Sequence, residues 1–247
     1  MEREAYIGSA CTQALTAYST QNERNYLMSN EFNNTKTKTE STRLYAHVVL
    51  DRSGSMQSCA SDAVGGYNAY AAKLPEAARV SLTLFDSEGV DLIRDAVAPA
   101  VAGMRADEYV PRASTPLYDA IGRTIAEAEK RCAGFDRVAL VILTDGHENA
   151  SREFTREDIL KLLTRKQEQD GWLVIYLGAN QDAWEVGHKF GSSSPNTMSF
   201  DANNANLVMA SAADATNRYV ASRNEQLGRR EAGFSKEERE RARGQKN

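Results

Sequence analysis

The chain has 247 residues, 41% of them hydrophobic and 26% charged, with a formal net charge of −4. That length and apolar content can bury one full α/β core with terminal segments to spare, or two small domains. The acidic balance and the lack of a long basic stripe exclude a bulk phosphate-backbone binder, and no window offers the ~20 apolar residues of a membrane span, so neither nucleic acid nor membrane is expected as a partner.

Residues 1–10 carry two glutamates and an arginine and no apolar stretch, which reads against a secretory signal. Cys11, Cys59 and Cys132 are odd in number, widely spaced and lack a CxxC pair. They suit a reducing compartment and small half-buried thiols, not a disulfide framework or a metal cage. The expected location is cytoplasmic. Residues 1–43 form an N-terminal extension: 9–30 offer only Leu15, Tyr18, Tyr26 and Leu27 as weak helical anchors. Residues 33–42 (NNTKTKTEST) read as a linker or an exposed strand with nothing to bury.

From Leu44 the chain becomes regular. Residues 45–50 (YAHVVL) predict a buried strand with His47 as a satisfied core histidine, and 51–58 a polar loop. Ala63, Val64, Tyr67, Ala71 and Leu74 recur at helical spacing up to Pro75. Residues 79–85 (RVSLTLF) alternate apolar and polar, and 90–97 do so more loosely after Asp86-Ser87-Glu88-Gly89, which predicts an antiparallel hairpin. A loop over 105–114 leads to Thr115-Pro116, with Pro116 expected at the first helical position and Leu117, Ile121, Ile125 and Ala128 as the apolar stripe. Residues 137–144 (RVALVILT) predict a central strand. Thr155 with Asp158 caps a helix that turns Ile159, Leu162 and Leu163 inward. Residues 172–177 (WLVIYL) predict another buried strand, 182–190 a short helix, 197–200 an edge strand and 203–224 an alanine-rich helix. The charge mixture from 229 to 247 reads as a solvated helix end or a disordered tail, the second preferred, leaving 44–228 as the folded domain. Strand–helix alternation with one hairpin gives the fold class: α/β, a doubly wound, mostly parallel sheet with one antiparallel edge hairpin, in a Rossmann-like three-layer sandwich.

In doubly wound sheets ligands sit at the carboxyl ends of the strands. There the first strand is followed by Asp51-Arg52-Ser53-Gly54-Ser55, the central strand by Asp145-Gly146, and the proline-started helix is preceded by Ser114-Thr115. Two carboxylates and several hydroxyls can converge on one rim. All are hard oxygen donors, which suits Mg²⁺, with Mn²⁺ or Ca²⁺ as substitutes, and disfavours zinc and copper.

Asp51-x-Ser53-x-Ser55, Thr115 and Asp145-Gly146 together resemble the metal-ion-dependent adhesion site of von Willebrand factor A domains, over roughly residues 44–225. The resemblance implies that Ser53, Ser55 and, in an open form, Thr115 bind the metal directly while Asp51 and Asp145 act mostly through water. It implies a cation able to take an Asp or Glu of a partner protein as a further ligand. It implies relatives of intracellular bacterial or phage type, with an AAA+ ATPase or an assembly component as partner. Arg52, Met56, Gln57, Tyr118, His147 and Glu148 are expected to line the contact. Asp86 follows a strand and could help a network around the metal ligands, Asn180-Gln181-Asp182 follow another strand at the rim as ligand-facing residues or a helix cap, and Trp172 and Trp184 are expected to pack. Ser58 and Thr115 could also be plain helix caps.

Two other functions fit the residues. Residues 1–43 could add an arm to a neighbouring copy and make the chain a homo-oligomeric or virion-type assembly component. A Mg²⁺-dependent hydrolase would also use an aspartate at a strand end. Haloacid-dehalogenase chemistry, however, needs a second aspartate where Ser53 stands, and the chain has no GxxxxGK[ST], GxSxG or HExxH motif. The chain is therefore expected not to be an enzyme.

Overall fold

The computed structural model describes residues 42–97, 103–179 and 194–244. The expectations for 1–41, for the helix over 182–190, for Asn180-Gln181-Asp182 and for Trp184 lie outside the described residues.

Six strands form one sheet: β1 (Leu44–Asp51), β2 (Arg79–Asp86), β3 (Gly89–Val97), β4 (Arg137–Thr144), β5 (Leu173–Ala179) and β6 (Thr197–Phe200). Their spatial order is β3-β2-β1-β4-β5-β6. All neighbours are parallel except β2 and β3, the hairpin that the turn at 86–89 predicts. The helices are α1 (Ala60–Lys73), α2 (Leu117–Arg131), α3 (Arg156–Glu168), α4 (Ala205–Ala221), α5 (Glu225–Glu231) and α6 (Lys236–Ala242).

The continuous apolar runs of β1, β4 and β5 follow from burial on both faces, as parallel strands under two helical layers require. Even-numbered residues of β1 (Leu44, Ala46, Val48, Leu50) enter one core with α1 and α4. Tyr45 and Val49 enter the other with Leu117, Ile121 and Ile125 of α2 and Ile159 and Leu163 of α3. Each fully buried Leu, Ile or Val among them contributes about 1.5–3 kcal/mol relative to exposure. His47 sits in β1, fully buried and satisfied as expected: Nδ1 lies 3.1 Å from the Tyr45 hydroxyl and Nε2 2.7 Å from that of Thr83. Trp172 is buried against Lys166, whose Nζ stands 4.8 Å from the ring centroid.

Helix boundaries follow local chemistry. Thr155 caps α3 with Asp158 in a reciprocal capping box, as its sequence predicts. Pro116 is the cap residue of α2 and not its first turn, since helical geometry begins at Leu117. The expected polar loop at 51–58 is more ordered than its composition suggests: Asp51 ends β1, and Gly54–Cys59 form a 3₁₀ turn that drops Met56 and Cys59 into the core.

The charged segment after 229 is folded through Gly244, which corrects the expectation of disorder. Ser235 and Glu238 form a capping box for α6, and Phe234 and Ala242 are buried. The Arg239 guanidinium donates to the carbonyls of Pro195 and Thr197 at the edge strand β6. The charges line the outer face of a short helix, and two apolar residues dock it.

Strand order fixes where a ligand can bind. From β1 the chain runs through α1 to β2 on one side. From β3 it returns through α2 to β4 on the other side of β1. The helices therefore diverge between the carboxyl ends of β1 and β4, and among the described residues no crossover covers that crevice.

Candidate metal centre

The crevice is where Asp51 and Asp145 stand. Alternation along β1 turns Asp51 to the α2 side, and the pairing of Leu50 with Leu143 brings it beside Thr144 on the same face. The Thr144 hydroxyl donates to Asp51 Oδ2. Asp51 Oδ1 accepts the Ser53 amide at 2.7 Å, and the Tyr109 hydroxyl donates to the Asp51 carbonyl. Asp51 is thus buried and held at both carboxylate oxygens before any ligand is considered.

The hydroxyls close around it. Ser53 Oγ lies 3.2 Å from Ser55 Oγ, and Ser55 Oγ donates to Asp145 Oδ1 at 2.7 Å. Gly146 is needed here for close approach. A methyl at that position would stand 2.7 Å from the Thr115 hydroxyl and 3.3 Å from Asp51 Oδ2. The fold therefore brings Asp51, Ser53, Ser55, Thr115 and Asp145, from three separate loops, to one oxygen-lined point.

Thr115 reaches this point because its backbone is clasped on both sides. Its amide donates to Asn149 Oδ1 at 2.9 Å and its carbonyl accepts the Asn149 amide at 3.1 Å. The preceding Ala113 adopts φ 58°, a left-handed conformation costly for a residue with a Cβ, and its carbonyl accepts the Gly54 amide at 3.1 Å. That bond ties the threonine loop to the serine loop.

Both carboxylates lack a cationic partner among the described ion pairs. Burial pushes Asp51 up to about 6, against the pull of the Thr144 and Ser53 hydrogen bonds, and Asp145 adds repulsion. Burial likewise raises Asp145, opposed by the Ser55 hydroxyl. Two carboxylates without a cationic partner among the described ion pairs, set against three hydroxyls, are what a hard divalent cation would relieve, so the residues fit Mg²⁺ in donor type and charge. Among the described residues no three His, Cys, Asp or Glu side chains cluster to hold a metal; the donors gathered here are two carboxylates and three hydroxyls.

The expected partner contacts divide. Gln57 and His147 are exposed on the rim, and Tyr118 is partly buried against the α2 core. Arg52, Met56 and Glu148 are engaged within the fold. Met56 is fully buried, because the 3₁₀ turn points it inward. Arg52 is buried and donates to Asp86 at 2.8 Å and to Asp91 at 3.0 Å. Glu148 organises its own loop, accepting the amides of Tyr118, Ala150 and Ser151 and the Ser151 hydroxyl. Ser58 caps nothing beyond a 3.4 Å bond to the Ser55 carbonyl.

Thr144, Tyr109 and Asn149 were not legible as site residues. Thr144 carried one usable signal, as the last inward position of the most apolar strand.

The sequence matches no protein-family model and no curated protein. Solved structures do resemble the fold. The von Willebrand factor domain of the type V pili tip protein from Porphyromonas gingivalis aligns with TM-score 0.54 at 8% identity, covering 74% of this chain and 98% of that one. A pilus adhesin from Lactobacillus rhamnosus GG aligns with TM-score 0.56 at 14% identity, covering 73% of this chain and 31% of the adhesin. Proximal thread matrix protein 1 of the mussel byssus aligns with TM-score 0.53 at 14% identity, covering 70% of this chain and 46% of that protein. The chain thus spans less than half the length of the adhesin and of the mussel protein. The fold is that of a von Willebrand factor A domain.

Proposed function

We propose that this chain is a metal-dependent protein-binding module. Ser53, Ser55 and Thr115 hold Mg²⁺ through hydroxyls, and Asp51 and Asp145 balance its charge. The observation that carries this reading is the convergence of buried Asp51, held by the Ser53 amide, and half-buried Asp145, bonded by Ser55, neither with a cationic partner among the described ion pairs. The bound ion supplies an electrophile that can take one carboxylate oxygen from an Asp or Glu of a partner. What this chain contributes is a preset cage: Thr144 and the Ser53 amide orient Asp51, Asn149 orients Thr115, and Gly146 leaves room for both. Gln57 and His147 flank the cage and would meet the partner's neighbouring residues.

We read the site as one of binding and not of catalysis, because Ser53 stands where a phosphotransfer site of this topology needs its general acid. An AAA+ ATPase or an assembly component as partner follows from the family resemblance alone. The assembly reading rests on residues 1–43, of which 1–41 lie outside the described residues.

The test is affinity capture from native lysate with the full chain and with Asp51→Ala, in Mg²⁺ and in EDTA. A partner retained only by the unmodified chain in Mg²⁺ supports the reading. A partner retained under all four conditions moves the binding surface off the rim and overturns it.

A further inference from the structure

Four donors from three segments meet at one carboxylate beside the candidate centre. Asp86, the last residue of β2, is fully buried. It accepts Arg52 Nε at 2.8 Å, Arg112 Nε at 3.0 Å and the amides of Glu88 and Gly89 at 2.7 and 3.1 Å. Burial works against its charge, yet the bonds from Arg112, the Glu88 amide and Arg52 outweigh it and hold the carboxyl below the usual range.

The two arginines are placed where they matter. Arg52 stands between Asp51 and Ser53, and Arg112 stands three residues before Thr115. The two segments are also joined by backbone: the Arg112 amide donates to the Arg52 carbonyl at 2.9 Å. The outer ends of the guanidinium groups are held in turn, Arg52 by Asp91 at 3.0 Å and Arg112 by Glu88 at 3.2 Å. Ser87, next to Asp86, exchanges two bonds with Ser114, donating its amide at 3.0 Å and accepting at Oγ at 3.1 Å. The β2–β3 turn therefore grips both loops that carry the hydroxyl donors.

Building on the metal reading, we infer that Asp86 is the positioning residue of the centre. It touches none of the proposed donors. It sets the separation between the Ser53–Ser55 loop and Thr115 by holding one arginine from each. Mg²⁺ demands near-octahedral oxygen at ~2.1 Å, so donors on two loops are useful only if the loops are held at one spacing. Outer partners of this kind change metal affinity by about 10–100-fold when removed.

The charges allow a clean test, because position and field predict opposite signs. Removing a positive charge near a cation site raises affinity if only the field matters, and lowers it if the arginine holds the loop. The experiment is calorimetric titration of the full chain with Mg²⁺, alongside melting of each variant without metal. Arg112→Gln removes one arm of the clamp, and the side chain is 45% exposed, so the fold tolerates its loss. The expected result is a Kd about 10-fold weaker. Arg112→Lys keeps the charge but loses the planar fork, and is also expected to weaken binding. Arg123→Gln breaks the exposed Arg123–Glu153 pair, removes the same charge without touching the Asp86 clamp, and is expected to leave affinity unchanged or slightly tighter. Asp86→Asn is expected to weaken binding most, with melting reported separately because it leaves Arg52 buried with fewer partners. Unchanged or tighter binding by Arg112→Gln and Arg112→Lys, with an unmodified chain that binds normally, overturns the positioning role alone. An unmodified chain that binds no divalent ion overturns the metal reading and this role with it.

Discussion

His47 offers a quantitative prediction about acid stability. The imidazole is fully buried between β1 and β2 and is held by the hydroxyls of Tyr45 and Thr83. Burial lowers its pKa to about 3. Asp95 and Glu127 pull it upward and Arg131 downward, all of them weaker than burial. In the unfolded chain the ring titrates near 6.5. Below that pH the unfolded state binds a proton that the folded state refuses. The associated stability is therefore complete above about pH 6.5 and is lost as pH falls towards 3, at up to ~1.4 kcal/mol per unit. Between pH 7 and pH 5 the loss from this one residue is roughly 2 kcal/mol by linkage. Asp51, raised to about 6, acts oppositely: its contribution is present at low pH and is lost as pH rises through 6, so acidification partly offsets the His47 loss. The assay is urea unfolding at pH 7 and pH 5 for the unmodified chain and His47→Gln, without divalent metal. Because Asp51 is common to both, the difference of differences isolates the histidine. His47→Gln should be less stable at pH 7 but should lose roughly 2 kcal/mol less on acidification. Equal acid sensitivity of the two proteins would refute the argument that burial holds the ring neutral.

Three further outcomes follow from the geometry. Mg²⁺ at 100 times its Kd should stabilise the chain by about 2.7 kcal/mol, several degrees in Tm for a domain of this size, with reversal by EDTA and no effect on Ser53→Ala. Gly146→Ala should cost ~1–3 kcal/mol through overpacking and also weaken Mg²⁺ binding, because its methyl would stand 2.7 Å from the Thr115 hydroxyl; thermal melts with and without metal separate the two effects. Arg239→Ala should lower hydrogen-exchange protection over Thr197–Phe200, since the guanidinium closes carbonyls at the edge strand, with a stability loss of ~1–3 kcal/mol.

Much of this architecture is written locally. The apolar runs of β1, β4 and β5 carry their own burial signal. The turn at Asp86-Ser87-Glu88-Gly89 specifies the hairpin, and Thr155 with Asp158 specifies the start of α3, because each depends on neighbours within a few residues. That Asp51, Ser53, Ser55, Thr115 and Asp145 stand at one rim is likewise legible, since each follows or precedes a recognisable element. In the tail, charge density favours disorder over a helix end, and the Ser235–Glu238 capping box is the local signal that decides for the helix.

What the sequence by itself determined is the set of elements, their faces and the donor types at their ends. Only the tertiary structure decided which side chains near those donors look outward. Arg52, Met56 and Glu148 are ordinary loop residues in sequence, yet one is buried on Asp86, one in the core and one on its own loop's amides. The physical reason is that a loop residue's direction is set by partners distant in the chain. Asp86 lies 34 residues from Arg52 and 26 from Arg112, and nothing local to any of the three announces that they meet.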